Sequence, residues 1–556
     1  MANLSKTKTL FAFTSPRTLE KIIPELRLLI ENFQSKDWNR ETQIDFFKVL
    51  FASPYYKGEK MPSNVPLAAR DRITRAPKAL GFVDLKPKIE LTQAGQALLK
   101  EKRINDVFTR QLMKFQFPSP YHKLPEDKFC IKPYLEFLHL LKAVGSLSKT
   151  EIALFFLPHI HIDDFDATVK KILDYRTNAK KFKGSRKTYA YHQFEKEIKE
   201  VYHEEIAAKD LKTRESSDVT LQKFIKTKRS NWNDYADAFV RYLRATELVT
   251  FQEKTLRVVI SPAKAKEVNH ILKSVDREPI KFDSIAKFKD YLFSSDNITL
   301  FYDIRANLLK ELDKLKLDFD DTLPIESLKD LLEVGIETTK IKKIKETEKG
   351  LKDFKEYDDI VSIFEKLQRR DVPDPPLYLE WNVWRAMVML NYAISVKGNF
   401  KIDLDGIPLT TAGGNMPDIE IEYDDFKLIV EVTMSRGNTQ FKMESESVPR
   451  HFGRTREGTD KDVYCLFIAP KISEGALAHF FNLNRFKTKL YGGKTQIVPI
   501  DLPRFLSFIK VAKDKKLSSS SSIKDYLNKA VQSNLSAEDE EIWQTEIYDS
   551  IPNWVA

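Results

Sequence analysis

The chain has 556 residues, 42% of them hydrophobic and 11% aromatic, enough to fill several cores, so two to four domains are expected. Its 91 Lys and Arg against 81 Asp and Glu leave a formal net charge of +10, which favours a polyanionic partner. Only Cys130 and Cys465 are present, which excludes a disulfide framework or a cysteine zinc site, and neither a bilayer-spanning run nor a secretion signal is seen, so a cytoplasmic location is expected.

Residues 1–145 read as a mainly helical DNA-recognition subdomain. Asn64 to Leu80, NVPLAARDRITRAPKAL, predicts one amphipathic helix dense in arginine. GFVDLKPKIELT follows as two short strands around a Lys-Pro turn, and TQAGQALL starts the next helix. Helix, strand, wing and strand is the order of a winged helix, which lays one helix in the major groove. Arg70, Arg72, Arg75 and Lys78 are then the expected contacts, since arginine reads guanine bidentately and lysine more often meets phosphate. The competing account is a solvated basic helix face. FQFPSPYHKL, at 115–124, predicts an aromatic loop packed between modules.

Residues 146–276 read as a second winged-helix recognition subdomain. Ser146 to Ile152, SLSKTEI, is a capped helix start inside a helix-turn-helix-like stretch. DYADAFVRYLRATELVTFQEKTLRVVISP reads as a helix and a β-hairpin, preceded by Lys226, Lys228 and Arg229. The run His159 to Asp164, HIHIDD, has the alternation of a metal-binding strand. It lacks cysteine, and Asp163-Asp164 is placed to cap the next helix, so a structural role is preferred. Residues 277–370 are helical, highly charged and closed by the prolines of RRDVPDPP, as expected of a helical linker. From 371 to 556 the order is helix, strand, hairpin, helix, strand, helix, strand and helix, which predicts an α/β domain with a mixed sheet. Ser518–Ser522 is expected as an exposed loop, and Ser536 with Asp539-Glu540-Glu541 as a helix start.

The densest chemistry lies in 417–451, PDIEIEYDDFKLIVEVTMSRGNTQFKMESESVPRH. IEIEYDDFKLIV alternates on both sides of Tyr423-Asp424-Asp425 and predicts a hairpin, which brings Asp418 and Glu431 together across two strands. Mg²⁺ takes one or two carboxylates with water and substrate phosphate. Clustered acids are costly alone, and a cation relieves them. The plainer account is an acidic hairpin with a solvated face. A helix is expected from about Thr439 to Ser447; carried on to His451, it sets Glu444 and His451 on one face. Glu380 begins the apolar helix EWNVWRAMVMLNYAI, where an acid is expected to be exposed or held in the first turn by the helix dipole.

NMPDIEI, GNTQFKMESE, the trailing RH and YCLFIAP resemble the cleavage domain of AlwI-type type IIS restriction and nicking endonucleases, within the PD-(D/E)xK nuclease superfamily. TSPRTLEKIIPEL, RDRITRAPKALGFV, VGSLSKTEIALF and YLEWNVWRA resemble the same enzymes in the same order, over nearly the whole chain. Arg17, in the first of these segments, is a further candidate DNA contact. The resemblance implies recognition by the N-terminal part and a spacer at 277–370, since such an enzyme cuts outside its site. It makes Pro417-Asp418 the PD and Glu431-Val432-Thr433 the (D/E)xK. Thr433 replaces the superfamily lysine, a departure shared with the AlwI group, so the group that activates the water stays open. Glu444, His451 and Glu380 match active-site positions of the nicking relatives.

The protein expected is a modular, Mg²⁺-dependent DNA endonuclease of type IIS kind. Its N-terminal modules find a short asymmetric site in double-stranded DNA. Its C-terminal domain hydrolyses phosphodiesters a few nucleotides away, on one strand or on both, with a second copy or a small partner subunit where both are cut. Asp418, Glu431, the Val432 carbonyl and Glu444 are the expected metal positions. Glu444 and His451 are placed to position or deprotonate the water, with Glu380 as a further catalytic candidate. Two other classes compete: a non-catalytic winged-helix regulator, with no use for the acid set, and a structure-specific repair nuclease, with no fixed recognition sequence.

Overall fold

The computed structural model describes residues 7–16, 18–56, 60–369, 371–414 and 416–555; Arg17 lies outside them. The chain divides into two compact units, Met1–Ile336 and Glu337–Ala556. The division falls inside the helix Ile325–Leu351, within the segment expected to link the domains. No helix among the described residues is long and apolar enough to cross a membrane.

The first unit is helical with two short hairpins. Helices Ile22–Phe33, Arg40–Ala52 and Val65–Ile73 bury Leu26, Leu29, Phe46, Leu50, Ala69 and Ile73 among them. Asn39 caps the second by accepting from Thr42 N, and Asn64 the third by accepting from Leu67 N. Residues 64–80 are not the single helix expected: the helix ends at Ile73 and a short one restarts at Ala76–Ala79. Pro77 has no N–H for the Ile73 carbonyl and its ring crowds it, but it suits a new first turn.

Each hairpin also hydrogen-bonds to a loop between two earlier helices, through a left-handed turn at Ser35 for the first and a bridge at Leu147 for the second. The hairpin Val83–Asp84 with Glu90–Leu91 pairs with that loop through Ser35 N to Ile89 O and Ile89 N to Lys36 O, both 2.9 Å. The hairpin Val249–Phe251 with Val258–Ile260 does so through Leu147 N to Val258 O at 2.9 Å and Val258 N to Leu147 O at 2.8 Å. The helix start at Ser148 carries both halves of a capping box. His159 is buried, with Nε2 2.9 Å from Glu136 Oε1 and Nδ1 3.1 Å from Thr168 Oγ1, so it is a hydrogen-bonded core residue. The charged segment up to Ile336 has a core of its own in Leu308, Leu312, Leu328 and Leu332. Arg110 and Lys329 both reach Asp303 at 2.6 Å, tying it to the helices before it.

In the second unit, after the end of Ile325–Leu351 and the helix Tyr357–Gln368, comes α1 (Pro375–Met389), buried from Leu377 onward. Its five-stranded sheet runs β1 (Ser395–Gly398), β2 (Ile419–Glu422), β3 (Phe426–Val432), β4 (Asp462–Ala469) and β5 (Ile497–Asp501), side by side in that order. β1, β2 and β3 are antiparallel neighbours, whereas β3, β4 and β5 are parallel, so the sheet is mixed. Parallel neighbours need crossovers, supplied by α2 (Gly437–Glu457) and α3 (Glu474–Arg485). β3 is central and buries Leu428 to Glu431 without a break, which is why its sequence is a run of apolar residues. α4 (Leu502–Asp514), α5 (Ser520–Ser536) and α6 (Glu540–Ser550) close the chain. The serine run is not a loop: Ser519 caps α5, and Ser520 to Ser522 form its first turn. Asp539 caps α6, whose Trp543 donates to Ala530 O at 2.8 Å.

Candidate functional site

β2 pairs with β3 so that Ile419 faces Val430 and Glu420 faces Ile429. One step further in that register Asp418 stands opposite Glu431, and directly opposed residues of an antiparallel pair share a face. Asp418 Oδ2 accepts from Val432 N at 2.8 Å. Asn399 holds the turn into β2: its N–H donates to Asp418 O at 3.0 Å, and its amide donates to Pro417 O and Glu420 Oε1, both at 2.8 Å. No motif signals an asparagine so far upstream, and sequence reasoning passed over it.

Glu380 lies in the interior of α1 rather than in a first turn, because the helix begins at Pro375. The residue is 2% exposed, and its Oε1 accepts from Ala412 N at 2.8 Å. Burial first, and then the charge of Asp418, push its carboxyl up to about 9, against the pull of the Ala412 N–H. Glu431 is 5% exposed and is held well above the usual carboxylate range by burial, then by Glu444 and Glu380. Asp418, Glu380, Glu431 and Glu444 are therefore close enough to repel.

α2 extends past the expected Thr439–Ser447 at both ends and continues through Pro449 to Glu457. It sets His451 Nδ1 2.7 Å from Glu431 Oε1. Burial, then Arg450 and Arg454, lower the His451 imidazole to about 4, so the ring is neutral at pH 7 and one proton serves the His451–Glu431 contact. Its Nε2 is buried with no hydrogen-bond partner among the described residues. Glu444 is half-buried and lies 3.4 Å from Ser447 Oγ. Pro449, between the two, has no N–H for the Ser445 carbonyl; His479 Nε2, from α3, donates to that oxygen at 2.8 Å instead.

Thr433 continues the parallel pairing, with its N–H on Ile468 O at 3.0 Å, and its Oγ1 accepts from Ser435 N at 3.1 Å. Gln440 is fully buried; its amide donates to Ser435 O and Lys471 O, both at 3.0 Å, and its carbonyl accepts from Ser473 N at 2.7 Å. It staples α2 to two loops. Among the described residues no three His, Cys, Asp or Glu side chains converge as a ready metal cluster. What is present is a pair of opposed carboxylates within a repelling acid set. That donor set fits a hard divalent cation, which takes one or two carboxylates and keeps several waters.

In the first unit the basic residues expected to touch DNA have different surroundings. Arg70 is exposed, its Nε donating to Pro66 O at 3.2 Å. Arg72 donates to Glu25 Oε1 at 2.5 Å and lies over the Tyr56 ring. Arg75 pairs with Asp71 at 2.9 Å, and Lys78 lies 4.5 Å above the Tyr121 ring, its ammonium lowered by burial.

The family profile of the AlwI restriction endonuclease matches residues 78–508. The chain belongs to the AlwI restriction endonuclease family. It is accordingly a type II site-specific endonuclease, a sequence-specific DNA-cutting enzyme of a kind that generally uses a divalent metal. Comparison with curated proteins gives no match. Among solved structures, the chain is similar to the small subunit R.BspD6I2 of the heterodimeric restriction endonuclease R.BspD6I, at 25% identity and TM-score 0.31, over 35% of this chain and 99% of that one. It is similar to the BpuJ1 endonuclease binding domain, in complex with modified DNA, at 15% identity and TM-score 0.34, over 52% and 96%. Restriction endonuclease FokI gives 12% identity and TM-score 0.24, over 94% and 99%. The family match carries the assignment.

Proposed function

We propose that this AlwI-family enzyme is of type IIS: it recognises a short asymmetric site through its N-terminal unit and uses Mg²⁺ to hydrolyse phosphodiesters a few nucleotides away. The observation that carries the cutting site is the Asp418–Glu431 opposition in the β2–β3 register, with His451 on Glu431 and Glu380 near Asp418. Asp418, Glu431 and the Val432 carbonyl would hold the metal, with Glu444 beside them. When bound, the cation supplies positive charge that polarises the phosphate and acidifies a bound water. Glu444 positions that water or takes its proton as the water oxygen bonds to phosphorus and the bond to the leaving sugar oxygen breaks. His451 orients the Glu431 carboxylate through Nδ1. Glu380 fixes the loop before Asp418 through Ala412 and adds to the field that draws in the cation.

For recognition, we read the first unit as two winged helices, residues 1–145 and 146–276, followed by a helical linker to about 370. Both hairpins support this. Each wing-like hairpin exchanges main-chain hydrogen bonds with a segment ahead of it, Ser35-Lys36 in the first module and Leu147, just before the capped helix start at Ser148, in the second. Arg70 is the best-placed base contact of the four, being exposed and, among the described residues, free of an acidic partner. Arg72 acts by bracing its helix against Glu25. A second copy or a small partner subunit would supply the other cut where both strands are broken, and the enzyme would work in the cytoplasm. The test is a plasmid digest with Mg²⁺ and sequencing of the ends. Ends at a fixed offset from one short asymmetric sequence are expected; ends without a shared neighbouring sequence would overturn the type IIS assignment.

A further inference from the structure

The helices Phe165–Lys181 and Arg186–Val201 are joined by a tight turn that carries Lys180, Lys181, Lys183, Arg186 and Lys187. All five are exposed, and none is ion-paired among the described residues. No Asp or Glu occurs between Asp174 and Glu195, so nothing in the local sequence offsets them. The turn is packed rather than loose. Phe182 lies 5.2 Å from Tyr189 and 6.0 Å edge-on to His192, and Tyr189 stacks on Tyr175 at 5.2 Å. Gly184 is under the Phe182 ring, where an added Cβ would come within 2.5 Å of it. Ser185 caps the second helix by accepting from Thr188 N at 3.1 Å.

Two features of this turn are unfavourable for the isolated protein. Five like charges are held together by a rigid aromatic base. Arg186 and Lys187 also occupy the first turn of a 16-residue helix, with no acid there, at the end whose dipole disfavours cations. Where a sequence breaks local rules without internal compensation, an external partner is the natural source of it. The partner that suits five cations beside the free N–H groups of a helix start is a row of phosphates.

We propose that the 180–187 turn is a second DNA-docking site, which binds backbone phosphates of the duplex and reads no bases. This rests on the proposed DNA recognition by the first unit and adds a contact outside the winged-helix arginines. Its function is to raise affinity and hold register on DNA flanking the recognised bases.

The test compares the whole wild-type protein with Lys181→Gln, Lys183→Gln, Arg186→Gln and Lys187→Gln combined. Binding to a labelled cognate duplex and to a random duplex is measured by anisotropy over a NaCl series, with Ca²⁺ replacing Mg²⁺. Losing about three phosphate contacts should flatten the log–log salt slope by roughly 2.7 and weaken both duplexes on the order of 10²-fold at 0.1 M salt. The cognate-to-random ratio should hold, and the melting temperature should stay or rise as repulsion is removed. An unchanged slope would overturn the proposal, as would loss of the ratio alone, which would make the turn a base reader. A lowered melting temperature with normal binding would make the cations structural and sink it too. Should the wild-type protein fail to prefer the cognate duplex, the recognition assignment fails instead; an unchanged slope beside a wild-type preference condemns the turn alone.

Discussion

Replacing Arg72 with methionine would strip Glu25 of its partner and separate bracing from base contact. Glu25 is 2% exposed, and burial, opposed by Arg72, pushes its carboxyl up to about 7. Between pH 4.5 and 7 the folded protein keeps a proton that the unfolded chain has released, so stability falls as pH rises through that window. The difference of about 2.5 pH units corresponds to about 3 kcal/mol, fully lost above pH 7. Removing the guanidinium leaves the carboxylate buried and alone, at a further cost of roughly 3–5 kcal/mol at pH 8. At pH 5, where Glu25 carries its proton, the same substitution should cost much less. The double variant Glu25→Gln/Arg72→Met should recover most of the stability and lose the pH dependence. Urea unfolding of the whole protein at pH 5, 6.5 and 8 measures all three, and cognate DNA affinity is taken on the same samples. Recovery of affinity together with stability is expected. If the double variant is stable but still fails to discriminate cognate from random DNA, Arg72 contacts bases and the bracing argument is wrong.

Asp418→Ala or Glu431→Ala should abolish cleavage while cognate binding in Ca²⁺ stays within a few-fold of wild type; near wild-type cleavage by either would remove the metal assignment. Glu444→Gln keeps size and hydrogen bonding but not charge, and should lose most single-turnover activity in saturating Mg²⁺, with Thr433→Lys giving no rescue. A rate within a few-fold of wild type would leave Glu444 as a surface residue of its helix. Asn399→Ala frees the Pro417-Asp418 step, and since one lost side-chain amide with two acceptors costs about 1–3 kcal/mol, cleavage should drop about 10- to 100-fold with DNA binding unchanged. Unchanged cleavage would show that the β2–β3 register alone is sufficient to hold Asp418.

The hairpin of 418–432, the α/β order of the second unit and the helix through Glu444 were legible because they depend on local periodicity, and periodicity survives burial. The surroundings of Glu380 were not. EWNVW announces an apolar helix, but Pro375 and Pro376, five and four residues before Glu380, begin it, and that shift moves the acid from a dipole-stabilised turn into the core. The basic helix was overextended for a similar reason. Pro77 sits within an amphipathic pattern, and its missing N–H decides where the helix ends. Arg72 read as a free charge because its partner, Glu25, becomes visible only once the helices are packed, whereas the Asp71–Arg75 pair, four residues apart on the expected helix, was legible from spacing and was passed over. The serine run looked like a loop by composition, yet serine is also a helix cap, and the apolar spacing after Ile523 favours the helix.

The proline in the middle of α2 has an engineering consequence. With one rung missing at Ser445, the angle between the halves bearing Glu444 and His451 is not a property of that helix alone; a histidine on the neighbouring crossover supplies the replacement bond. A graft of residues 437–457 into another scaffold would carry both side chains but not their mutual aim. Drift at position 479 would instead detune the pair without altering either member.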